Sequence, residues 1–155
     1  MEYNNLHSPP DADVLIVGAG PAGLALASAL GSVGLQATIV EQLSRTQLDV
    51  PQDDGREIAL THRSRCVLSA LGIWQRLSDG CVSPMREAQV LDGNSPDALR
   101  FAASGENALG WLVPNHEIRR AALTQAASHP GVRLLCDARV TALQRSGPFA
   151  RLTLV

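Results

Sequence analysis

The residues best placed to do chemistry are the glycines of Gly18-Ala-Gly20-Pro-Ala-Gly23 and the acid Glu41, which follows Gly18 by 23 positions. Each glycine answers a separate steric demand. Gly18 permits a sharp turn after a strand, Gly20 lets backbone approach a pyrophosphate, and Gly23 lets a helix pack closely on that strand. Pro21 and Ala22 complete the turn. Unpaired amides at the mouth of the following helix face phosphates, and the helix dipole adds roughly half a positive charge there. Glu41 falls where an acidic side chain accepts hydrogen bonds from a ribose. Its charge disfavours a 2′-phosphate, so the pattern suits FAD or NAD over NADP. The bland alternatives are a structural turn in another α/β protein and a solvated acid at a strand end.

The elements around these residues favour the dinucleotide reading. Asp13–Val17 has the composition of a buried parallel strand. Leu24–Val33 continues as a helix rich in Ala and Leu, with Ala27 small at the next helix–sheet contact and Gly34 where the helix stops. Gln36–Val40 reads as the second strand, so strand, glycine turn, helix, strand and acid arrive in order. Beyond Glu41, Gln42–Gly55 is a loop longer than an ordinary connection. Arg56–Leu60 is short and mixed. Thr61 suits an N-cap for a helix over His62–Leu71 closed by Gly72. Ile73–Ser78 adds a helical turn with Trp74 and Leu77 pointing inward.

Glu87–Leu91 and Leu99–Ala102 flank the turn-rich Asp92-Gly-Asn-Ser-Pro96, which predicts a hairpin. Gly110–Val113 is a further strand. Pro114-Asn115 introduces a helix to about Ser128, with Ile118, Ala122 and Ala126 on one face. Val132–Cys136, Arg139–Leu143 and Ala150–Val155 are the last strands, with a turn at Ser146-Gly-Pro148. The order predicts an α/β protein, a Rossmann-like βαβ fold with an antiparallel β insertion. Arg151–Val155 carries no turn, cap or polar tail, so the fold is expected to be incomplete at its C-terminus. Residues 1–11, polar and carrying Pro9-Pro10, read as a disordered lead, and 12–155 as one part-domain.

Composition excludes several classes. Val14–Val40 runs 27 residues without a formal charge, long enough to span a membrane. Five glycines, one proline and the polar Gln36-Ala-Thr38 argue against a span, and no basic flank orients one. Met1–Pro10 has no basic residue, as a secretory signal requires. At 155 residues the chain suits one domain with a sizeable core. A net charge of −2 leaves no footprint for nucleic acid, and the 13 basic residues are all arginine. Cys66, Cys81 and Cys136 lack any Cys-x-x-Cys pair and read as reduced thiols of a cytoplasmic protein. The four histidines share no ligand spacing with them, so no metal site is expected.

Beyond these readings, Asp13–Glu41 resembles the FAD-binding start of class A flavoprotein monooxygenases, the para-hydroxybenzoate-hydroxylase-like enzymes. Asp54-Gly-Arg-Glu-Ile-Ala-Leu-Thr61 followed by Leu71-Gly-Ile-Trp74 is more selective, and is similar to the ubiquinone-biosynthesis hydroxylases of that superfamily. Leu112-Val-Pro-Asn-His-Glu-Ile-Arg119 and Val132-Arg-Leu-Leu continue the similarity. The resemblance implies bound FAD, NAD(P)H as reductant, and oxygen-dependent hydroxylation of an electron-rich aromatic ring, with the redox chemistry belonging to the cofactor. It implies a small aromatic substrate, which if polyprenylated would bring transient contact with the inner membrane or a biosynthetic assembly. Nothing in the pattern specifies an oligomeric state or a catalytic residue. A second flavin motif of the Gly-Asp-Ala type and the substrate-pocket strands, which the resemblance also implies, are not in this sequence.

The same resemblance extends the cofactor-binding set. Arg56 matches an arginine that reaches the flavin cofactor, although on physics alone it suits a surface ion pair with Asp53, Asp54 or Glu57. Asn115 matches a polar residue contacting FAD, and equally suits a helix N-cap. Val140 matches a position where strand backbone meets the adenine. Arg119 and Arg120 suit either cofactor phosphates or an exposed helix face. His62, Arg63 and Arg65 suit a solvated face, and Trp74 and Trp111 suit packing. Two other classes stay open: a flavin- or NAD-dependent dehydrogenase that inserts no oxygen, and a non-catalytic nucleotide-binding module.

Overall fold

The computed structural model describes residues 11–93, 98–104 and 107–155. In chain order these form β1 (Val14–Val17), α1 (Pro21–Ser32), β2 (Ala37–Val40), α2 (Arg45–Asp49), β3 (Glu57–Leu60) and α3 (His62–Ala70). A 3-10 turn over Trp74–Arg76 leads to β4 (Ser83–Met85), β5 (Glu87–Leu91), β6 (Ala98–Ala102) and β7 (Gly110–Pro114). The chain then forms α4 (Asn115–Ala127), β8 (Val132–Leu135), β9 (Val140–Ser146) and β10 (Phe149–Leu154).

Two crossovers build the parallel layer. β1 pairs with β2 from Val14 opposite Ala37 to Val17 opposite Val40, and β2 pairs with β8 from Ala37 opposite Val132 to Val40 opposite Leu135. The sheet order is β1-β2-β8, so β2 is central, and all four of its residues are buried. α1 and α4, the crossover helices, pack against each other. Their facing stripes are Leu24, Ala27 and Ser28 on α1, and Ile118, Ala121, Ala122, Leu123 and Ala126 on α4. Alanine at so many of these positions lets the two axes approach closely, and Ser28 satisfies its buried hydroxyl on the Leu24 carbonyl at 2.9 Å. Ile16, Ile39, Leu48 and Ile73 complete this core.

The excursion between β2 and β8 is antiparallel. β7 is the middle strand of β3-β7-β4 and runs directly into α4, so this small sheet delivers the helix whose first turn matters below. β5–β6 and β9–β10 are separate two-stranded ribbons. The expected α/β fold with an antiparallel insertion is therefore what the chain adopts. No helix among the described residues is long and apolar enough to cross a membrane.

Several local expectations are corrected. The first helix starts at Pro21 rather than Leu24, because proline's fixed φ and missing N–H suit the first helical position. β1, expected to be buried, is an edge strand of the described sheet with Val17 62% exposed; β2 is the strand flanked on both sides. Gln42–Gly55 is not all loop: Ser44 and Gln47 form a reciprocal capping box that starts α2. After Gly72, at φ +76, Ile73 is fully buried, while Trp74 and Leu77, expected to point inward, are half-buried, with Leu77 packed against the core. β4 is not among the expected strands; Pro84, which lacks a ladder N–H, is tolerated in it because β4 lies at a sheet edge. The lead expected over residues 1–11, Asp11 apart, and most of the Asp92–Pro96 turn lie outside the described residues.

Leu24 is 1% exposed at the α1–α4 contact. Leu24→Ala is expected to destabilise the protein by about 2–5 kcal/mol, read as a lowered urea midpoint. An unchanged midpoint would contradict the placement of the core between these helices.

Candidate cofactor site

The parallel strands end together, and the residues of interest follow their C-termini. After β1, Gly18 adopts φ +98, a conformation that a β-carbon strains, while its N–H extends the ladder to the Val40 carbonyl at 2.8 Å. Gly20 is the N-cap of α1 and has no side chain to satisfy the helix mouth. The first helical bond runs from the Leu24 N–H to the Gly20 carbonyl at 3.0 Å, which leaves the N–H groups of Ala22 and Gly23 without an intrahelical acceptor. At Gly23 a β-carbon would strike the Gly18 carbonyl and come 3.2 Å from Ile16 Cγ2, so this glycine is dictated by packing. Gly20 is different. Its φ of −74 suits any residue, and a β-carbon there would meet nothing within 4 Å. Neither its backbone conformation nor packing within the described chain requires glycine at position 20.

Glu41, at the end of β2, is 9% exposed rather than a solvated strand-end acid. Its Oε2 accepts from the Ala19 N–H at 2.7 Å and its Oε1 from the Leu43 N–H at 2.9 Å. Its own N–H donates to the Leu135 carbonyl at 2.8 Å, and its carbonyl accepts from the Ala138 N–H at 3.0 Å. One residue thus ties the turn after β1, the loop after β2 and the segment after β8. This clamping role was not apparent from the pattern, which marked only the spacing. An ionised carboxylate offers about four acceptor sites, so two remain beyond these backbone bonds, enough for hydroxyl donors. Val140 opens β9 two residues after Ala138, half-buried, and pairs with Leu154.

Arg56 and Asn115, remote in sequence, are brought together by a third residue. Asp54 Oδ2 accepts from Arg56 Nε at 2.8 Å, from Arg56 Nη2 in a still shorter contact, and from Asn115 Nδ2 at 2.8 Å. Asp54 Oδ1 accepts from the Arg56 N–H at 3.1 Å, and the Asn115 N–H donates to the Arg56 carbonyl at 2.8 Å. The guanidinium and the amide hold the Asp54 carboxyl well below the usual carboxylate range, and Asp54 raises the Arg56 pKa in return. Asn115 is buried and is the first residue of α4; the N-cap is Pro114, so the expected capping role is not the one its side chain plays. Next to it, His116 Nδ1 is buried without a hydrogen bond, 3.3 Å from Asp53 Oδ1.

The two arginines of α4 divide. Arg119 faces a cleft of about 310 Å³ between α2 and α4, lined also by Leu43, Thr46, Gln47, Val50 and Gln52. Arg120 bonds Glu117 Oε2 at 2.7 Å and Ser78 Oγ at 2.8 Å. Arg65 does not lie on a purely solvated face: its guanidinium carbon stacks 4.4 Å over Trp111 and 5.1 Å over Trp74. His62 meets the Trp111 edge at 4.8 Å and reaches the Ala108 carbonyl through Nε2 at 2.7 Å. Burial raises the thiol pKa of Cys81 and Cys136, which leaves neither activated.

A glycine turn at a helix mouth after one parallel strand and an acid at the end of the next define a dinucleotide-binding domain. Comparison with known proteins narrows this class. The family described as the FAD binding domain matches residues 11–149, and the chain belongs to that family. It is 42% identical to the ubiquinone hydroxylase UbiM of Neisseria meningitidis, over 98% of this chain and 33% of that protein. It is 36% identical to the ubiquinone hydroxylase UbiL of Rhodospirillum rubrum, over 86% of this chain and 31% of that protein. The crystal structure of PqsL, a probable FAD-dependent monooxygenase from Pseudomonas aeruginosa, aligns with a TM-score of 0.66 at 27% identity. That match covers 91% of this chain and 38% of PqsL. The chain spans about a third of the length of these curated relatives.

Glu41→Gln replaces one acceptor oxygen with an amide NH₂ that opposes the N–H of Ala19 or Leu43. It is expected to cost about 1–3 kcal/mol in the cofactor-free protein, measured by urea unfolding; a solvated acid would give no change. Glu117 offers a pH test. Arg120 leads the groups that pull its pKa from the ordinary 4.5 down to about 2. Its contribution is therefore present above about pH 4.5 and lost as pH falls toward 2. Wild-type stability should drop across that window, and the drop should be shallower in Glu117→Gln.

Proposed function

We propose that this chain forms the cofactor-binding portion of an FAD-dependent aromatic hydroxylase that acts on a ring in ubiquinone biosynthesis. The observation that carries the reading is the 42% identity to a ubiquinone hydroxylase across nearly the whole chain. The geometry supports it: Gly20 has no internal reason to be glycine, and Glu41 retains acceptor capacity facing the strand ends.

In this reading the N–H groups of Ala22 and Gly23 hold the diphosphate of FAD, aided by the positive end of α1. Gly18 and Pro21 shape the turn that aims them. Glu41 accepts from the ribose hydroxyls, the backbone at Val140 borders the adenine, and Arg56, just before β3, and Asn115, at the start of α4, face the cofactor. Bound FAD supplies the redox chemistry, taking electrons from NAD(P)H and delivering oxygen to an electron-rich ring. This part of the protein binds and orients; no proton transfer is assigned to its residues. The substrate is a small aromatic, polyprenylated molecule, and the protein works in the cytoplasm with transient contact to the inner membrane or a biosynthetic assembly.

The test is oxygen uptake by the purified full-length protein with FAD, NAD(P)H and a polyprenylated phenol. Uptake matched by one hydroxylated product per NAD(P)H consumed is expected. Reduction of an added acceptor under argon, with no hydroxylated product in air, would overturn the reading in favour of a dehydrogenase.

A further inference from the structure

The least expected feature of the site is an acid, Asp54, wrapped by two residues that the cofactor reading turns toward FAD. An aspartate beside a diphosphate-bearing ligand repels it, so its presence calls for a physical reason. Stability does not supply one. The Arg56 side chain is 67% exposed, and ion pairs of that kind contribute little to stability.

The bonding pattern supplies a better reason. Asp54 grips Arg56 side-on, through Nε and Nη2, and leaves Nη1 and the second Nη2 hydrogen on the outer edge of the guanidinium. That outer edge is the fork that matches an oxygen pair of a phosphate or carbonyl. Asp54 is in turn anchored from behind by Asn115, which is buried, fixed at the first residue of α4, and 61 residues away along the chain. Two further bonds tie the loop: Asp53 Oδ1 accepts from the Gly55 N–H at 2.9 Å, and the Arg56 carbonyl accepts from the Asn115 N–H at 2.8 Å. A free arginine carries substantial rotamer entropy, part of which this frame removes before any ligand arrives.

We propose that Asp54 is a positioning residue for the cofactor, locking Arg56 against α4 so that the outer edge of its guanidinium is presented to FAD. The proposal rests on the FAD reading above. It assigns Asp54 no contact with the cofactor; its effect passes through Arg56.

Titration of the apoprotein with FAD, followed by quenching of flavin fluorescence, tests it. Asp54→Ala is expected to raise the Kd about 3- to 10-fold, the range for one side chain that must now be immobilised on binding. Asp54→Asn, which keeps an acceptor oxygen for Arg56, is expected to recover part of the loss. In an Arg56→Ala background the further change Asp54→Ala should alter Kd by less than about twofold, because coupled residues are not additive. The thermal midpoint of each apoprotein is read alongside. A fall in midpoint with full additivity in Kd would mean a merely structural role and overturn the proposal. So would an unchanged Kd in Asp54→Ala, or a tighter one, which would make Asp54 a competitor for Arg56. If the wild-type protein does not bind FAD, the cofactor reading itself fails and this inference falls with it. Wild-type binding with an indifferent Asp54→Ala removes the inference alone.

Discussion

The structure depends on one buried carboxylate. Glu41 accepts the Ala19 N–H from the turn after β1 and the Leu43 N–H from the loop after its own strand. Its backbone is bonded to Leu135 at the end of β8 and to Ala138 just beyond it. A carboxylate at 9% exposure is expensive unless hydrogen-bonded, and these neutral donors make it tolerable without a partnering cation. In meeting that requirement the protein fixes three strand-end segments relative to one another. The glycine turn is therefore held in place before anything binds to it.

The same constraint explains the choice of small residues nearby. For Ala19 to reach Glu41, the chain must leave β1 through a left-handed Gly18 and enter α1 at once, which brings Gly23 against the Gly18 carbonyl. α1 must then lie close to the sheet and to α4, and the alanines at 27, 121, 122 and 126 allow this. A second, independent frame sits at the start of α4, where β7 delivers Asn115 to Asp54. One frame presents backbone N–H groups at a helix mouth, the other the outer edge of an arginine.

Local features of this design were legible in the sequence. The glycine spacing, the alternation of strand and helix periods, Thr61 as an N-cap and the Ile118, Ala122, Ala126 face all depend on residues within a turn or two. The FAD-binding family followed from the same stretch together with the run from Asp54 to Trp74. Non-local features were not legible. Asp54 meets Asn115 only because β3 and β7 pair, and the stacking of Arg65 on both tryptophans needs α3 and β7 side by side. α2 was missed for a different reason: Ser44 and Gln47 carry a capping-box signal, but the helix they start is only five residues long. Spacing places Glu41 at the end of β2 but does not reveal that its two oxygens hold the Ala19 and Leu43 N–H groups.

The most direct test is a crystal structure of the protein with FAD bound. The diphosphate should lie about 2.7–3.2 Å from the N–H groups of Ala22 and Gly23, with a ribose hydroxyl on Glu41 while the Ala19 bond persists. A diphosphate bound away from the α1 mouth, or a Glu41 that has released Ala19 and turned from the crevice, would contradict the account.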